Sequence, residues 1–397
     1  MAASFTSIPI LDLSLARSPE TQPQFLDDLR HALFTVGFLY IRNTGIPDSL
    51  IQDVIQLGHK FFELPEDEKL RIEMKNSPHF LGYSRLNNEV TAHKIDHREQ
   101  IDLGSEVPAP LDSEPRYRRL RGPSQWPKEE LLPGFRQKYT EYIERMSELS
   151  TEFVSLIALA LGLPKDAFEK FYTGDHDPSW EAAGLSQEDI ELRRKRQDKL
   201  KIVKYPDLAE LGISDKEGQG VGPHKDSMLS SYLLQASNHR GLQVLNSKGE
   251  WIDAPPIEGT LVVALGQGLE AMTSGVCVST THRVLSPAAG SGARYSIPFF
   301  QGVSYDAAFE SMTIPQSVFD LKNEYIRKAR EVSGEKEEES GDAREEIEFT
   351  FKKQQFDRLG QATLMNRVKS HPDVGEKWYP DLLEEWKKRG VQVGSAY

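Results

Sequence analysis

Apolar positions follow two regimes along the chain. In the first half they recur at three- and four-residue steps. Phe25, Leu26, Leu29, Leu33 and Phe34 make one such run, and that spacing predicts a helix. It gives way to Gly37-Phe38-Leu39-Tyr40-Ile41, a short apolar strand closed by Asn43-Thr44-Gly45. Pro47-Asp48-Ser49 opens a second helix with Leu50, Ile51, Val54, Ile55 and Phe61 on one face, and Pro65 opens a shorter one. Residues 82–127 are turn-rich and predict irregular chain. A long helix follows, marked by Phe135, Tyr139, Tyr142, Met146, Leu149, Phe153, Leu156 and Ala160. The charged stretch 188–199 predicts a solvated helix face.

After Leu200 the period shortens. Runs rich in β-branched and aromatic residues lie between Gly, Pro, Asn and Ser turns, at 201–205, 230–235, 241–245, 251–254, 260–265, 276–279 and 294–300. Short strands at this spacing predict a β-sandwich or barrel and not alternating βαβ units. Four regions follow: 6–130 with helices and short strands, 131–199 with the long helix and charged connection, 200–305 as a β core, and 306–397 as a helical extension. Within the last, the acidic stretch 335–346 lacks large apolar residues and predicts a loop. Residues 356–386 carry too much apolar surface for a free tail. They are expected to fold back on the barrel or on the long helix, either as plain packing or as a cover over the mouth of the barrel.

Composition narrows the class. The chain has 397 residues, 38% of them hydrophobic and 27% charged, enough for a substantial core. No apolar run approaches the roughly 18–20 residues that span a bilayer. A net charge of -13 argues against a nucleic-acid surface. The single cysteine, Cys277, excludes an intrachain disulfide and a multi-cysteine zinc site, and reads as a small buried hydrophobe. No secretory signal is visible at the first residues. These features predict a cytoplasmic monomer that binds a small molecule, with neither a nucleic-acid nor a membrane partner.

The chemistry begins with ten histidines. His-x-Asp occurs at His224-Lys225-Asp226 and again at His371-Pro372-Asp373, so the motif alone is weak. Proline in the second copy removes a ladder donor and reads as a turn, which sets that copy aside. At the first copy, strand geometry puts His224 and Asp226 on one face. His282 offers a third ligand. Two histidines and a carboxylate with open positions opposite suit non-haem Fe(II), although zinc accepts the same donors. Further on, Arg294 and Ser296 share a strand face, and a guanidinium fork beside a hydroxyl is a receptor for one carboxylate. Taken alone, that pair reads rather as a strand arginine paired with a surface Asp or Glu.

Gly222-Pro223-His224-Lys225-Asp226, Leu234-Gln235, Gly241-Leu242-Gln243-Val244, Gly249-Glu250-Trp251-Ile252, Gly259-Thr260-Leu261, His282-Arg283-Val284 and Arg294-Tyr295-Ser296-Ile297-Pro298 occur in order. This set resembles the isopenicillin N synthase-like family of Fe(II)/2-oxoglutarate-dependent dioxygenases, over residues 6–305. The resemblance implies a mixed α and β fold, with a double-stranded β-helix (jelly-roll) core flanked by N-terminal, central and C-terminal helices. It implies iron on His224, Asp226 and His282, and 2-oxoglutarate on the iron with its distal carboxylate on Arg294 and Ser296, beside Tyr205. It implies O2 as oxidant, succinate and carbon dioxide as products, and hydroxylation, desaturation or cyclisation of a small organic metabolite. Departures are Val203 where the family often has Asn, Lys225 between the first two ligands, and Gly266-Gln267-Gly268-Leu269 in place of Gly-Asp-x-Leu. Competing readings are an iron oxidase that does not use 2-oxoglutarate, and a non-catalytic binding barrel. Lys201 shares the face of Val203 and Tyr205, and is a candidate contact for an anionic or carbonyl group of the substrate.

Overall fold

The computed structural model describes residues 4–91, 94–213, 218–308, 310–333, 357–389 and 394. The acidic stretch 335–346 lies outside the described residues.

Two β-sheets close on each other. The larger has eight strands, in the order Ile10–Asp12, Phe38–Arg42, Thr260–Leu265, Ser230–Gln235, Arg294–Phe300, Lys199–Tyr205, Glu99–Gly104 and Gly82–Ser84. The smaller has four, Trp251–Asp253, Leu242–Leu245, His282–Leu285 and Gln219–His224. The first two strands of the larger sheet pair in parallel, and its other neighbours pair antiparallel. This is the jelly-roll core that the strand spacing and the resemblance imply, widened at both edges by strands from the first 104 residues.

The two-residue period of the strands sorts side chains between the two faces. Phe38, Tyr40, Val203, Tyr205, Val262 and Ala264 point inward and meet Val221, Leu242, Val244 and Val284 of the smaller sheet. Their neighbours Leu39, Ile41, Ile202, Leu261, Val263 and Ile297 point outward, into a second cluster shared with helices. The helix Phe135–Ala160 dominates that outer layer, packed against Asp48–Glu63 and Gln22–His31. Tyr139 donates to the Val54 carbonyl at 2.7 Å, and a Cβ on Gly58 would lie 2.7 Å from that hydroxyl. Glycine is what lets the two helices meet so closely.

Four expectations change. Residues 82–127 are not irregular throughout, because Gly82–Ser84, Glu89–Thr91, Lys94–Asp96 and Glu99–Gly104 are strands. All six residues of Glu99–Gly104 are buried, with Gln100 and Asp102 alternating against Ile101 and Leu103. Gln100 and Asp102 face the barrel interior, so a pattern that treats polar as solvated misses the strand. Residues 276–279 form no strand. They follow the helix Gln267–Met272 through Ser274 and Gly275, both at positive φ, although Val276 and Cys277 are fully buried as an apolar run should be. The 188–199 stretch is solvated only in part. Arg193 is buried, bonded to the Ala109 carbonyl and Glu114, and Arg196 pairs with Asp198. Pro372 does not mark only a turn. It opens the helix Pro372–Trp378, where its missing N–H costs nothing.

The C-terminal helices Leu359–Ser370, Pro372–Trp378 and Pro380–Lys388 fold back as expected, but not onto the long helix. Leu364, Val368, Val374, Tyr379 and Leu383 close a separate apolar cluster with Met74, Phe80 and Leu120. Tyr379 stacks on Phe80 at 5.7 Å between centroids and donates to the Pro78 carbonyl at 2.7 Å.

Candidate active site

One cavity of about 270 Å³ runs between the sheets. His224, Asp226 and His282 meet on its wall. The two histidines are cross-strand partners on the smaller sheet, with ring centroids 4.2 Å apart. Their Nε2 atoms lie 3.8 and 3.9 Å from the same Asp226 oxygen, Oδ1. One ligand atom from each residue falls within 4.8 Å of the others.

The surroundings fix what those atoms offer. His224 Nδ1 lies 2.9 Å from the Gly222 carbonyl, and His282 Nδ1 lies 3.3 Å from the Thr280 carbonyl. A carbonyl only accepts, so each Nδ1 carries the proton and each Nε2 turns a lone pair toward the centre. Burial, with His282 alongside, holds the His224 imidazole well below its usual pKa and so neutral. Asp226 Oδ2 accepts from the Ser231 hydroxyl, which leaves Oδ1 free to face the histidines. The chain around Asp226 has no slack, since a Cβ on Gly266 would lie 1.9 Å from the Met228 carbonyl oxygen. Lys225 turns away as expected, its Nζ 3.9 Å from Glu270.

Arg294 lies on the inner face of the larger sheet, level with Tyr205, and is 1% exposed. Its Nη2 reaches Gln235 at only 3.4 Å, while Nε and Nη1 are buried without a hydrogen-bond partner. Burial lowers its pKa, and no carboxylate forms an ion pair with it among the described residues. A buried guanidinium with two idle donors is costly, and a bound carboxylate relieves it. The Tyr205 ring lies 5.1 Å from the guanidinium, and Ser296 follows on the same strand face, opposite Val203. The nitrogen and oxygen donors of the triad fit Fe(II), and the idle donors of Arg294 fit the far end of a dicarboxylate chelated there.

Comparison with known proteins decides the family. A model of the 2OG-Fe(II) oxygenase superfamily matches residues 198–303, and a model of the N-terminal region of the non-haem dioxygenases of morphine synthesis matches 8–129. The chain is 59% identical to the 2-oxoglutarate-dependent dioxygenase frbJ of Dothideomycetidae sp. (strain 11243), over 98% of its own length and 97% of that protein. The chain belongs to the 2OG-Fe(II) oxygenase superfamily. It is an Fe(II)- and 2-oxoglutarate-dependent dioxygenase, an oxidoreductase that uses O2. Homoarginine-6-hydroxylase 2-ODD-C23 of Glycine max is a more distant member, 31% identical over 82% of this chain and 95% of its own. Among solved structures, that of a full-length Neurospora crassa protein in complex with alpha-KG matches with a TM-score of 0.60 and 25% identity, over 77% of this chain and 88% of that one.

The dioxygenase cavity has a second, charged half that the sequence did not announce. Arg98 reaches Glu89 at 2.5 Å and Asp96 at 3.3 Å, and Lys201 Nζ lies 2.6 Å from Asp102. Burial opposes the charge on Glu89, but Arg98 and Lys201 outweigh it and hold that carboxyl well below the usual range. The C-terminal helices complete the wall with Thr363, Asn366, Arg367, Ser370 and His371. His371, set aside as the weaker His-x-Asp copy, thus lines the cavity, with Nε2 3.5 Å from Glu89. Its proline does keep it out of a strand, but a helix junction carries it to the cavity instead. The alternation Gln100-Ile101-Asp102-Leu103 was the one available signal for this half.

Proposed function

We propose that His224, Asp226 and His282 hold Fe(II), and that Arg294, Ser296 and Tyr205 hold the distal carboxylate of 2-oxoglutarate. The observation that carries this reading is the buried guanidinium of Arg294, with two unpartnered donors, beside Tyr205 and Ser296 of the cavity whose wall bears the triad. Bound there, metal and cosubstrate supply the oxidising chemistry that yields succinate, carbon dioxide and an oxidised substrate carbon. The chain does the rest. The Gly222 and Thr280 carbonyls and the Ser231 hydroxyl aim the three ligands. Arg294 fixes the cosubstrate at its far end, and Val203 opposite Ser296 keeps that end apolar where relatives often have an amide.

The substrate occupies the charged half, with the C-terminal helices as its cover. Lys201 contributes there as one half of a neutral pair with Asp102, not as a free cation. The cover reading draws its support from the five cavity residues those helices supply; apolar packing alone would not require them to face inward.

We further read the enzyme as a cytoplasmic monomer. The buried lone cysteine accords with a reducing compartment, and no described helix is long and apolar enough to cross a membrane. Exposed large apolar residues such as Leu86, Leu131 and Ile257 come from separate segments and suggest no broad apolar interface.

The metal assignment is tested with His224→Ala and His282→Ala. Each variant should purify folded but lose iron and 2-oxoglutarate turnover together, because metal binding needs both neutral imidazoles. Retention of full iron content in either variant would refute the assignment.

A further inference from the structure

The charged half of the cavity is ion-paired along one wall and unpaired at its far end. Glu89, Asp96 and Asp102 answer Arg98 and Lys201. Lys199 and Arg367 form no ion pair among the described residues; the carboxylates that act on Lys199 from a distance, Asp102 and Asp198, are already paired with Lys201 and Arg196. Lys199 Nζ is held by the Leu120 carbonyl at 3.0 Å and the Gln197 amide oxygen at 2.7 Å, both uncharged. An ammonium has three donors, so one is left over. Arg367, half-buried on the helix Leu359–Ser370, makes no ion pair or side-chain hydrogen bond among the described residues. Burial, with Arg367 nearby, lowers the Lys199 pKa to about 7. Two basic side chains thus share one end of the cavity with no carboxylate in direct contact with either among the described residues.

Strand register shows that this end cannot serve the cosubstrate. Arg294 is level with Tyr205, whereas Phe300 is level with Lys199 and with Ser231. Six residues of strand, about 20 Å at roughly 3.3 Å each, separate the level of Arg294 from that of Lys199. A five-carbon dicarboxylate anchored at Arg294 is far shorter than that separation and does not reach Lys199.

We propose that Lys199 and Arg367 form an oxyanion site for the substrate, so that the enzyme acts on a small molecule carrying a carboxylate or a phosphate monoester. The anion docks against the cation pair and places the rest of the molecule between the charged wall and the metal triad. The guanidinium of Arg367 offers the fork, and Lys199 adds a point charge from the barrel floor. Because Arg367 comes from the C-terminal helices and Lys199 from the core sheet, the anion also ties cover to barrel.

The inference rests on the assignment of 2-oxoglutarate to Arg294, and the experiment separates the two. Succinate release without added substrate reports on the cosubstrate assignment alone. Arg294→Gln should suppress it, and failure to do so would sink that assignment. With it in place, the iron-loaded enzyme is presented with a library of free carboxylic acids and phosphate monoesters. Each acid is matched to its primary carboxamide, and each monoester to its parent alcohol. Free anions should raise succinate release above the substrate-free level, and their neutral partners should not. Stimulation by acids but not monoesters, or the reverse, identifies the anion. For the best anion, Arg367→Gln should raise KM at least tenfold, with KM for 2-oxoglutarate within twofold of wild type. Arg367→Lys should recover part of the loss, which a merely structural role would not predict. Equal stimulation by neutral partners, or no stimulation by any anion while substrate-free turnover is intact, would overturn the proposal.

Discussion

Replacing Arg294 with glutamine isolates the cosubstrate's far carboxylate from everything else in the site. The arginine is 1% exposed, and its Nε and Nη1 have no partner. A carboxylate that fills this gap accepts two charge-assisted bonds, each worth roughly 1.5–3 kcal/mol. Glutamine is shorter and neutral, and it returns at most one ordinary bond of about 1 kcal/mol. Ser296 remains in both proteins. The net loss is therefore about 2–5 kcal/mol, roughly a 30-fold to several-thousand-fold rise in the 2-oxoglutarate concentration needed for half-maximal turnover. The assay is succinate release against 2-oxoglutarate concentration at saturating iron, with bound iron measured in parallel. Iron content should hold, because Arg294 is not one of the three residues whose ligand atoms converge on the metal position. An unchanged 2-oxoglutarate titration would refute the reasoning. Loss of iron with no change in cosubstrate affinity would do so too.

Three other outcomes follow from packing around the site. Gly266→Ala puts a Cβ 1.9 Å from the Met228 carbonyl oxygen and displaces the chain that carries Asp226, so iron affinity should fall at least tenfold, measured by competition with a chelator. Tyr379→Ala empties a fully buried ring site on Phe80 and should cost about 3–5 kcal/mol, read as a lower Tm in thermal unfolding. An unshifted Tm would show that the C-terminal cluster does not hold the cover. Ending the chain after residue 356 should leave 2-oxoglutarate turnover measurable but uncouple it from substrate oxidation, and coupling equal to full length would leave those helices only a packing role.

What could be read from the chain, and what could not, follows from which way polar residues point. Strands such as Thr260–Leu265 and Arg294–Phe300 were legible because their β-branched and aromatic runs are bounded by turn residues. The triad was legible as a set of ligand types, His-x-Asp and a later histidine, although the strand ends at His224 and Asp226 lies just beyond it. Glu99–Gly104 was not legible, because Gln100 and Asp102 are buried toward a charged cavity and Ile101 and Leu103 face helices. His371 failed for a related reason. Its role depends on a fold-back of the chain that brings it within 3.5 Å of Glu89, and no local pattern encodes such a contact. The reactive chemistry is local in sequence, and substrate recognition is assembled from distant pieces.

The strand order of the larger sheet also bears on how the chain reaches this state during synthesis. Phe38–Arg42 pairs with Thr260–Leu265, through partners such as Arg42 with Thr260. The strand must therefore wait for about 220 further residues, roughly 10–45 s at 5–20 residues per second. Throughout that interval Phe38-Leu39-Tyr40-Ile41 is an apolar segment with one unpaired edge. The parallel neighbour Ile10–Asp12 can cover only its other edge. A nascent chain halted before residue 260 thus presents an aggregation-prone edge, and the released N-terminal fragment should need a chaperone to stay in solution.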